Sequence, residues 1–321
     1  MKLVIPGGTG HLGKLLVASF GQQGDEIVVL TRTPRSEGCA GARVVAWDGR
    51  TIGPWADEID GADAVINLAG RTVNCRYTRA NLKQMMDSRV DSTRVIGTAI
   101  ERSSHPPAVW LQMSTAAIYA HRFDAPNDEN TGQVGGEEPD APTRWRPSIE
   151  IAKAWEETQC EAIAPETRKV ALRSAIVMSP EAGGPFDILL HLTRWGLGGA
   201  IAGGRQFVSW IHDRDFARAV EFLLERKEVH GPVNLAAPHP LPQGDFMAAL
   251  RAASGARFGL PAAKWMAEIG AFFLGTETEL VLKSRYVVPG RLLDAGFAFH
   301  FYEWPAAARD LVARSSGANA K

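Results

Sequence analysis

Closely spaced glycines near the start of the chain have the spacing of a phosphate-binding turn. Residues 7–13 read GGTGHLG, which fits G-x-G-x-x-G and the looser G-x-x-G-x-x-G. They follow an apolar strand pattern, KLVI, and open a helical pattern, as in dinucleotide-binding βαβ units. Such glycines permit a tight turn and let backbone N–H groups approach a pyrophosphate at a helix N-terminus. The predicted dinucleotide contacts are Gly7, Gly8, Thr9, Gly10, His11, Leu12 and Gly13.

The end of the second apolar run indicates which dinucleotide is bound. NAD-binding sites hold the ribose 2′-hydroxyl with an Asp or Glu about twenty residues after the glycines. Here the run ends in VVLTRTPR, which contains Thr31, Arg32 and Arg35 and no carboxylate. A guanidinium can hold a 2′-phosphate through two hydrogen bonds but offers little to a hydroxyl. The sequence therefore predicts NADP(H), with Arg32 as the first contact and Arg35 as the second; in the alternative, both are solvated loop arginines.

Two further apolar runs end in residues suited to the adenine and the ribose. Asp48 follows the third run, and the fourth, AVINLAG, ends in Leu68, Ala69 and Gly70. Ligands of open parallel sheets bind outside the carboxyl ends of the strands, so we expect these residues at the cofactor site. Each is equally compatible with a strand end that binds nothing.

Alternating strand and helix patterns must position these residues. Strands separated by helices favour βαβ units and an α/β fold, a doubly wound parallel sheet of the Rossmann type with a smaller, mostly helical substrate-side domain. The predicted strands are Lys2–Ile5, Glu26–Leu30, Arg43–Ala46, Ala64–Leu68, Val109–Met113 and Lys169–Leu172. The longer predicted helices are Leu12–Phe20, Arg79–Glu101 and Ile149–Ile163.

The change of pattern after residue 174 suggests two domains. We expect residues 1–174 to form the NADP-binding Rossmann domain, to which residues 207–237 add a strand and a helix. Residues 175–206 and 238–312 then form the substrate-side domain, and residues 313–321 a disordered tail. Residues 124–147 are rich in Pro, Gly and acids and lack periodicity, which predicts a long loop.

Composition limits the partners. The 321 residues include 35 Lys and Arg against 36 Asp and Glu, and this balance offers no field for nucleic acid or an anionic membrane surface. Three scattered cysteines fit neither a metal site nor a disulfide framework. The N-terminus does not resemble a signal peptide, and no run is long enough to span a membrane. We expect a cytoplasmic monomer or homodimer with a small-molecule substrate and no metal.

Motifs along nearly the whole chain resemble those of an atypical extended short-chain dehydrogenase/reductase. They are GGTGHLG, TRTP, DAVINLAG, MSTAAIYA, LRSAIVMSPEAGG, GGRQFVSWIHDRDFA, GPVNLAAP and VVPGRLLDAGFAF. The later motifs point to the YfcH-like epimerase family. This resemblance implies an NAD-dependent epimerase/dehydratase-like N-terminal domain and a family-specific C-terminal domain, but no settled reaction.

The resemblance also implies a catalytic Tyr followed four residues later by Lys, and this pair is missing. In such a pair the ammonium lowers the pKa of a phenol on the same helix face, so that the phenol can exchange a proton. The residues four positions after the four tyrosines are Asn81, Phe123, Gly290 and Ala306. If Glu156 matches the acidic residue that ends the motif, Ser148 takes the Tyr position and Ala152 the Lys position.

Thr115, Tyr119 and Lys153 remain as catalytic candidates. Thr115 matches the family's Ser or Thr, whose hydroxyl orients a substrate oxygen. Tyr119 is a candidate proton donor, although an aromatic anchor beneath the neighbouring loop is the favoured alternative. Lys153 lies one residue from the missing Lys position, about 100° around the helix, and a solvated helix lysine is its favoured alternative.

The resemblance further suggests Ser114, Arg205 and Trp210 as substrate contacts, with packing as the competing explanation. Relatives that bind nucleotide sugars often carry an Arg just upstream of the strand that here reads SWIHD, but Val208 stands in its place. This argues against a diphosphate-bearing substrate. The predicted function is an NADP-dependent oxidoreductase, epimerase or dehydratase acting on a small carbonyl or hydroxyl compound. The missing dyad keeps one alternative open, a non-catalytic NADPH-binding sensor or scaffold.

Overall fold

The computed structural model describes residues 1–34, 39–138, 141–273 and 277–318 of the 321-residue chain. Its strands are β1 Lys2–Pro6, β2 Glu26–Thr31, β3 Ala42–Ala46, β4 Ala64–Asn67, β5 Val109–Thr115, β6 Arg168–Ser174, β7 Ile176–Met178, β8 Phe207–Val208, β9 Trp210–His212, β10 Gly231–Leu235 and β11 Leu241–Pro242. Its α-helices are α1 His11–Gly21, α2 Arg79–Arg102, α3 Arg146–Glu161, α4 Pro185–Arg194, α5 Asp213–Glu225, α6 Gln243–Ser254, α7 Lys264–Phe273, α8 Glu279–Leu282, α9 Gly290–Asp294 and α10 Trp304–Ala318. Short 3₁₀ helices occupy Pro54–Glu58, Ala116–Ile118 and Thr143–Trp145.

A seven-stranded parallel sheet confirms the predicted doubly wound architecture. Its strand order is β10-β6-β5-β4-β1-β2-β3, which reverses direction between β1 and β4. Two small sheets, the antiparallel pair β8–β11 and the parallel pair β7–β9, lie outside it. After β1 the chain crosses over to β2 on one side of the sheet, and after β4 it crosses over to β5 on the other side. A crevice therefore forms at the carboxyl ends of β1 and β4, where ligands of such sheets bind.

Helices cover both faces of the sheet, which explains why its inner strands are apolar runs. On one face, Phe20 of α1 and Phe216 of α5 are buried in a cluster with β1, β2 and β6. On the other face, Ile96 of α2 packs with Trp110 of β5. Burying both faces removes a large apolar area from water and fixes the strand ends that carry the site.

The C-terminal region packs around aromatic side chains. Trp304 of α10 stacks on Phe246 of α6 at 4.0 Å between ring centroids and meets Trp210 of β9 edge-on at 5.1 Å. Residues 313–318, predicted as part of a disordered tail, instead continue α10. The Arg314 guanidinium lies 2.6 Å from the Asp213 carboxylate, and this ion pair explains why the helix extends beyond its predicted end. Residues 319–321 lie outside the described part of the chain.

The long loop between β5 and α3 is fastened to the C-terminal region. Asn127 exchanges backbone hydrogen bonds with Tyr286 and Val288, at 2.7 and 3.0 Å. The Glu129 carboxylate accepts from the backbone N–H of Asn234 at 2.7 Å and of Arg291 at 3.2 Å. These contacts bring residues 277–291 against the carboxyl end of β5. No helix in the described ranges has the length and apolar character needed to cross a membrane.

Candidate functional site

A cavity of about 920 Å³ lies at the carboxyl ends of β1, β2, β3 and β4. The predicted cofactor residues that line it are Gly7, Thr9, Gly10, Thr31, Arg32, Asp48, Leu68, Ala69 and Gly70. Gly8, Leu12 and Gly13 belong to the same turn and first helical turn but lie outside the lining. Arg35 falls outside the described residues.

Two glycines hold the turn close to its neighbours. Gly7 has φ +78°, and a Cβ on it would stand 2.8 Å from the backbone nitrogen of Ala69. A Cβ on Gly13 would stand 2.3 Å from the carbonyl oxygen of Gly8. The turn thus packs against the end of β4 and against α1 with no room for a side chain at either position. This close packing keeps the N-terminus of α1 open towards the cavity.

The N-terminus of α1 is suited to an anion. Gly10 is its N-cap and supplies no side-chain hydrogen bond, and the first turn contains no acidic residue. The first amides of a helix have no intrahelical partner, so they present N–H groups and partial positive charge to the cavity. The His11 ring is engaged elsewhere: Nε2 lies 2.8 Å from Ser179 Oγ and Nδ1 2.8 Å from Glu181 Oε2.

Arginines dominate the charge of the cavity wall. Arg32 lines the cavity and is exposed, as is Arg50, whose Nε lies 3.5 Å from Asp91. Arg71 lines the opposite side and donates to Gln84. Sequence reasoning missed Arg50 and Arg71, although they follow Asp48 and Gly70 so closely that the strand ends could have identified them.

Asp48, the one acidic residue among those that line the cavity, has its carboxylate occupied. It accepts from the backbone N–H groups of Arg50 and Thr51, at 2.8 and 2.9 Å, and from the Thr51 hydroxyl at 2.6 Å. These hydrogen bonds, the Thr51 hydroxyl first, lower the pKa of Asp48. The carboxylate therefore stabilises the turn after β3.

The surroundings of Tyr119 support the favoured alternative, an aromatic anchor, rather than a catalytic role. Its side chain is 1% exposed, and its hydroxyl donates to Asn234 at 3.0 Å while accepting from Arg173 at 2.9 Å. Burial raises the pKa of Tyr119, the opposite of what a proton donor near neutral pH needs. Ser114, a predicted substrate contact, is buried and its hydroxyl donates to Glu156, which pairs with Arg173 at 2.8 Å; these contacts support a structural role.

Three further candidates, Trp210, Arg205 and Lys153, do not lie where their predicted roles would place them. Trp210 is 0% exposed and packs against Trp304, which supports packing, the competing explanation, rather than a substrate contact. Arg205 is exposed and lines neither described cavity. Lys153 is exposed on α3, whereas Ala152 beside it faces the interior. The catalytic role of Lys153 is therefore not supported, since its side chain turns away from the buried helix face.

Thr115 stands at the carboxyl end of β5 with its side chain partly exposed. Its Oγ1 accepts from the backbone N–H of Ala117 at 3.1 Å, and no described residue accepts its hydrogen. The hydroxyl is thus free to donate to a ligand. The carbonyl of Ala117, two residues later, accepts from Lys283 Nζ at 2.7 Å.

Ser148, at the position of the missing Tyr, meets a carboxylate from the C-terminal region. Its hydroxyl lies 2.7 Å from Glu279 Oε1. Glu279 Oε1 lies 3.6 Å from Lys283 Nζ, one turn further along the chain. Sequence reasoning missed both residues, because they follow Ser148 by more than 130 positions and no local motif marks them.

Comparisons with known proteins agree with this architecture. The NAD dependent epimerase/dehydratase family matches residues 3–236, and a domain of unknown function, DUF1731, matches residues 262–311. Epimerase family protein SDR39U1 of Homo sapiens is 30% identical, over 98% of this chain and 100% of its own. Epimerase family protein YfhF of Bacillus subtilis is 26% identical, over 98% of each chain.

A solved structure is similar over the same extent. The crystal structure of human epimerase family protein SDR39U1 (isoform2) with NADPH superposes with a TM-score of 0.84 at 28% identity. The match covers 98% of this chain and 99% of that one. It therefore includes both the large sheet and the C-terminal region.

Proposed function

The chain belongs to the NAD dependent epimerase/dehydratase family, and from that premise we propose that it is an NADP(H)-dependent enzyme. Its reaction is an oxidation or reduction, an epimerisation or a dehydration of a small carbonyl or hydroxyl compound. The observation that carries this proposal is the cavity of about 920 Å³, which joins the glycine turn to Arg32.

The residues of the cavity fit NADP(H) in shape and in charge. The uncapped start of α1 suits the pyrophosphate, and the absent Cβ atoms of Gly7 and Gly13 keep the turn close enough for it. Arg32 follows β2, where a 2′-phosphate is expected, and no Asp or Glu stands at residues 31–34 to bind a 2′-hydroxyl instead. The human relative crystallised with NADPH further supports this cofactor.

Bound NADPH would supply a hydride, and the chain would supply positioning. In this proposal Thr115 donates its free hydroxyl hydrogen to a substrate oxygen at the end of β5. That hydrogen bond strengthens as negative charge develops on the oxygen, which lowers the barrier. Ser148 and Ala152 do not continue the expected dyad, so the proton must come from another group.

Turnover tests the proposal against its alternative, a non-catalytic NADPH sensor. The assay follows loss of NADPH absorbance and chromatographic conversion of each compound, for a panel of small aldehydes, ketones, keto acids and hydroxy compounds, with the wild type and with Thr115→Ala. We expect turnover in the wild type and about a hundredfold lower kcat in the variant, with unchanged NADPH affinity. Tight NADPH binding without turnover on any compound would favour the sensor.

A further inference from the structure

Three side chains occupy the place where the family's dyad would work. Ser148 is shorter than a tyrosine, and the space beyond its hydroxyl holds the Glu279 carboxylate at 2.7 Å. Lys283 lies beside Glu279, and its Nζ donates to the carbonyl of Ala117, two residues after Thr115. The C-terminal region thus places a carboxylate and an ammonium beside α3, the helix that lacks the dyad.

We propose that Lys283 is the proton-donating catalytic residue of this site and that Glu279 is its positioning partner. The inference rests on the proposed NADP(H)-dependent function. It assigns a chemical role to the segment 262–311, for which the matching domain has no known function.

The burial of the pair is the first argument. Both side chains are 1% exposed, yet Glu279 Oε2 has no hydrogen-bond partner among the described residues. A buried carboxylate oxygen without a partner costs free energy of about 1–3 kcal/mol or more. A bound hydroxyl compound would satisfy it, whereas a purely structural ion pair would leave it unsatisfied.

Access is the second argument. Lys283 lines a second cavity, of about 240 Å³, together with Glu138, Trp145 and Ile149. One ammonium hydrogen goes to Ala117 O and another faces Glu279. An ammonium carries three hydrogens, so one remains for a ligand in the cavity.

The acidity of Lys283 is the third argument. Burial lowers its pKa to about 8, against the opposing attraction of Glu279 and Glu138, and the neighbouring Arg285 lowers it further. An amine with a pKa near 8 can give up and regain a proton near neutral pH, which an ordinary lysine does far less readily.

The reduction adds one hydride to the carbonyl carbon of the substrate and one proton to its oxygen. Lys283 Nζ releases a proton to the substrate oxygen while the carbonyl carbon receives the hydride that NADPH supplies. The carbonyl π pair forms the new O–H bond, and the N–H pair stays on the nitrogen. Lys283 ends neutral and regains a proton from solvent through the second cavity, which it lines. The net change is carbonyl, NADPH and one proton to alcohol and NADP⁺.

Reductive trapping tests access without relying on activity. The full chain, saturated with NADP⁺, is treated at pH 7 with glyceraldehyde and cyanoborohydride, and adducts are mapped by mass spectrometry. The aldehyde condenses with a neutral amine, and the imine is then reduced. We expect Lys283 to be modified at least about tenfold faster than the exposed Lys153, because an amine of pKa near 8 is more often neutral. Slower modification of Lys283 than of Lys153 would overturn the inference.

Lys283→Arg separates proton donation from ion pairing, and Lys264→Arg, at an exposed lysine of the same segment that lines neither cavity, is the matched control. Arginine retains the charge and the hydrogen bonding but does not release a proton near neutral pH. We expect kcat to fall at least about a hundredfold in Lys283→Arg with NADPH affinity retained, and to stay unchanged in Lys264→Arg. If the larger side chain disturbs NADPH binding, Lys283→Met replaces it with the same expectation. If either Lys283 variant turned over as fast as the wild type, the role of Lys283 would be overturned and the proposed function would stand. If the wild type itself showed no turnover, the proposed function would be overturned.

Discussion

The cofactor cavity and the Glu279–Lys283 pair are assembled from the chain in different ways. The cavity is built from short segments that directly follow β1, β2, β3 and β4, and two of its arginines, Arg32 and Arg50, are exposed. The pair is buried and meets Ser148 across more than 130 residues of chain. Binding of a charged cofactor tolerates an open, locally encoded site, whereas proton transfer requires a desolvated pair that only the tertiary fold assembles.

The largest expected effect is on the cofactor cavity. In Gly13→Ala, the new Cβ would press on the backbone of Gly8 at 2.3 Å and displace α1 from the turn. We expect NADPH affinity to fall about a hundredfold and stability by about 1–3 kcal/mol. Calorimetric titration and urea unfolding measure the two.

Gly21→Ala is the control within the same helix. Its Cβ would find only Ile27 Cδ1 at 3.9 Å, an ordinary contact. We expect unchanged NADPH affinity and unchanged or higher stability. Equal losses in the two variants would show that the close packing at Gly13 is unimportant.

The next effect tests the buried pair through stability. Lys283 has a folded-state pKa of about 8, below the usual 10.4, so between these values the unfolded chain binds more protons. Wild-type stability should therefore rise with pH from about 8 to 10, by about 1–3 kcal/mol relative to Lys283→Met. Urea unfolding of both proteins across this range measures the difference. If the stability of the two proteins changed with pH in parallel, burial would not lower the pKa of the Lys283 amine, which also faces Glu279, Glu138 and Arg285.

The smallest expected effect is that of a substitution at Tyr119, which distinguishes a packing role of this residue from a catalytic one. Tyr119→Phe removes a hydroxyl that links Arg173 to Asn234. We expect about 1–2 kcal/mol lower stability and an unchanged kcat. A large fall in kcat with intact stability would return Tyr119 to the catalytic candidates.

Local patterns predicted the sheet and most of the residues that line the large cavity at its strand ends, because their signals are short-range. The glycine turn and the arginine after β2 are each legible within a few residues. The packing of Trp210 gave no signal because a motif shows sequence position, not whether a ring will be enclosed by Trp304. Glu279 and Lys283 gave no signal because their significance depends on meeting Ser148 in space.

The most direct test of the cofactor assignment is a fluorescence titration with NADPH and NADH, on the wild type and on Arg32→Ala. A charge-assisted bond to the 2′-phosphate predicts roughly ten- to a hundredfold tighter binding of NADPH by the wild type. Arg32→Ala should lose most of that preference while its NADH affinity stays unchanged. Equal affinity of the wild type for the two dinucleotides would contradict the account.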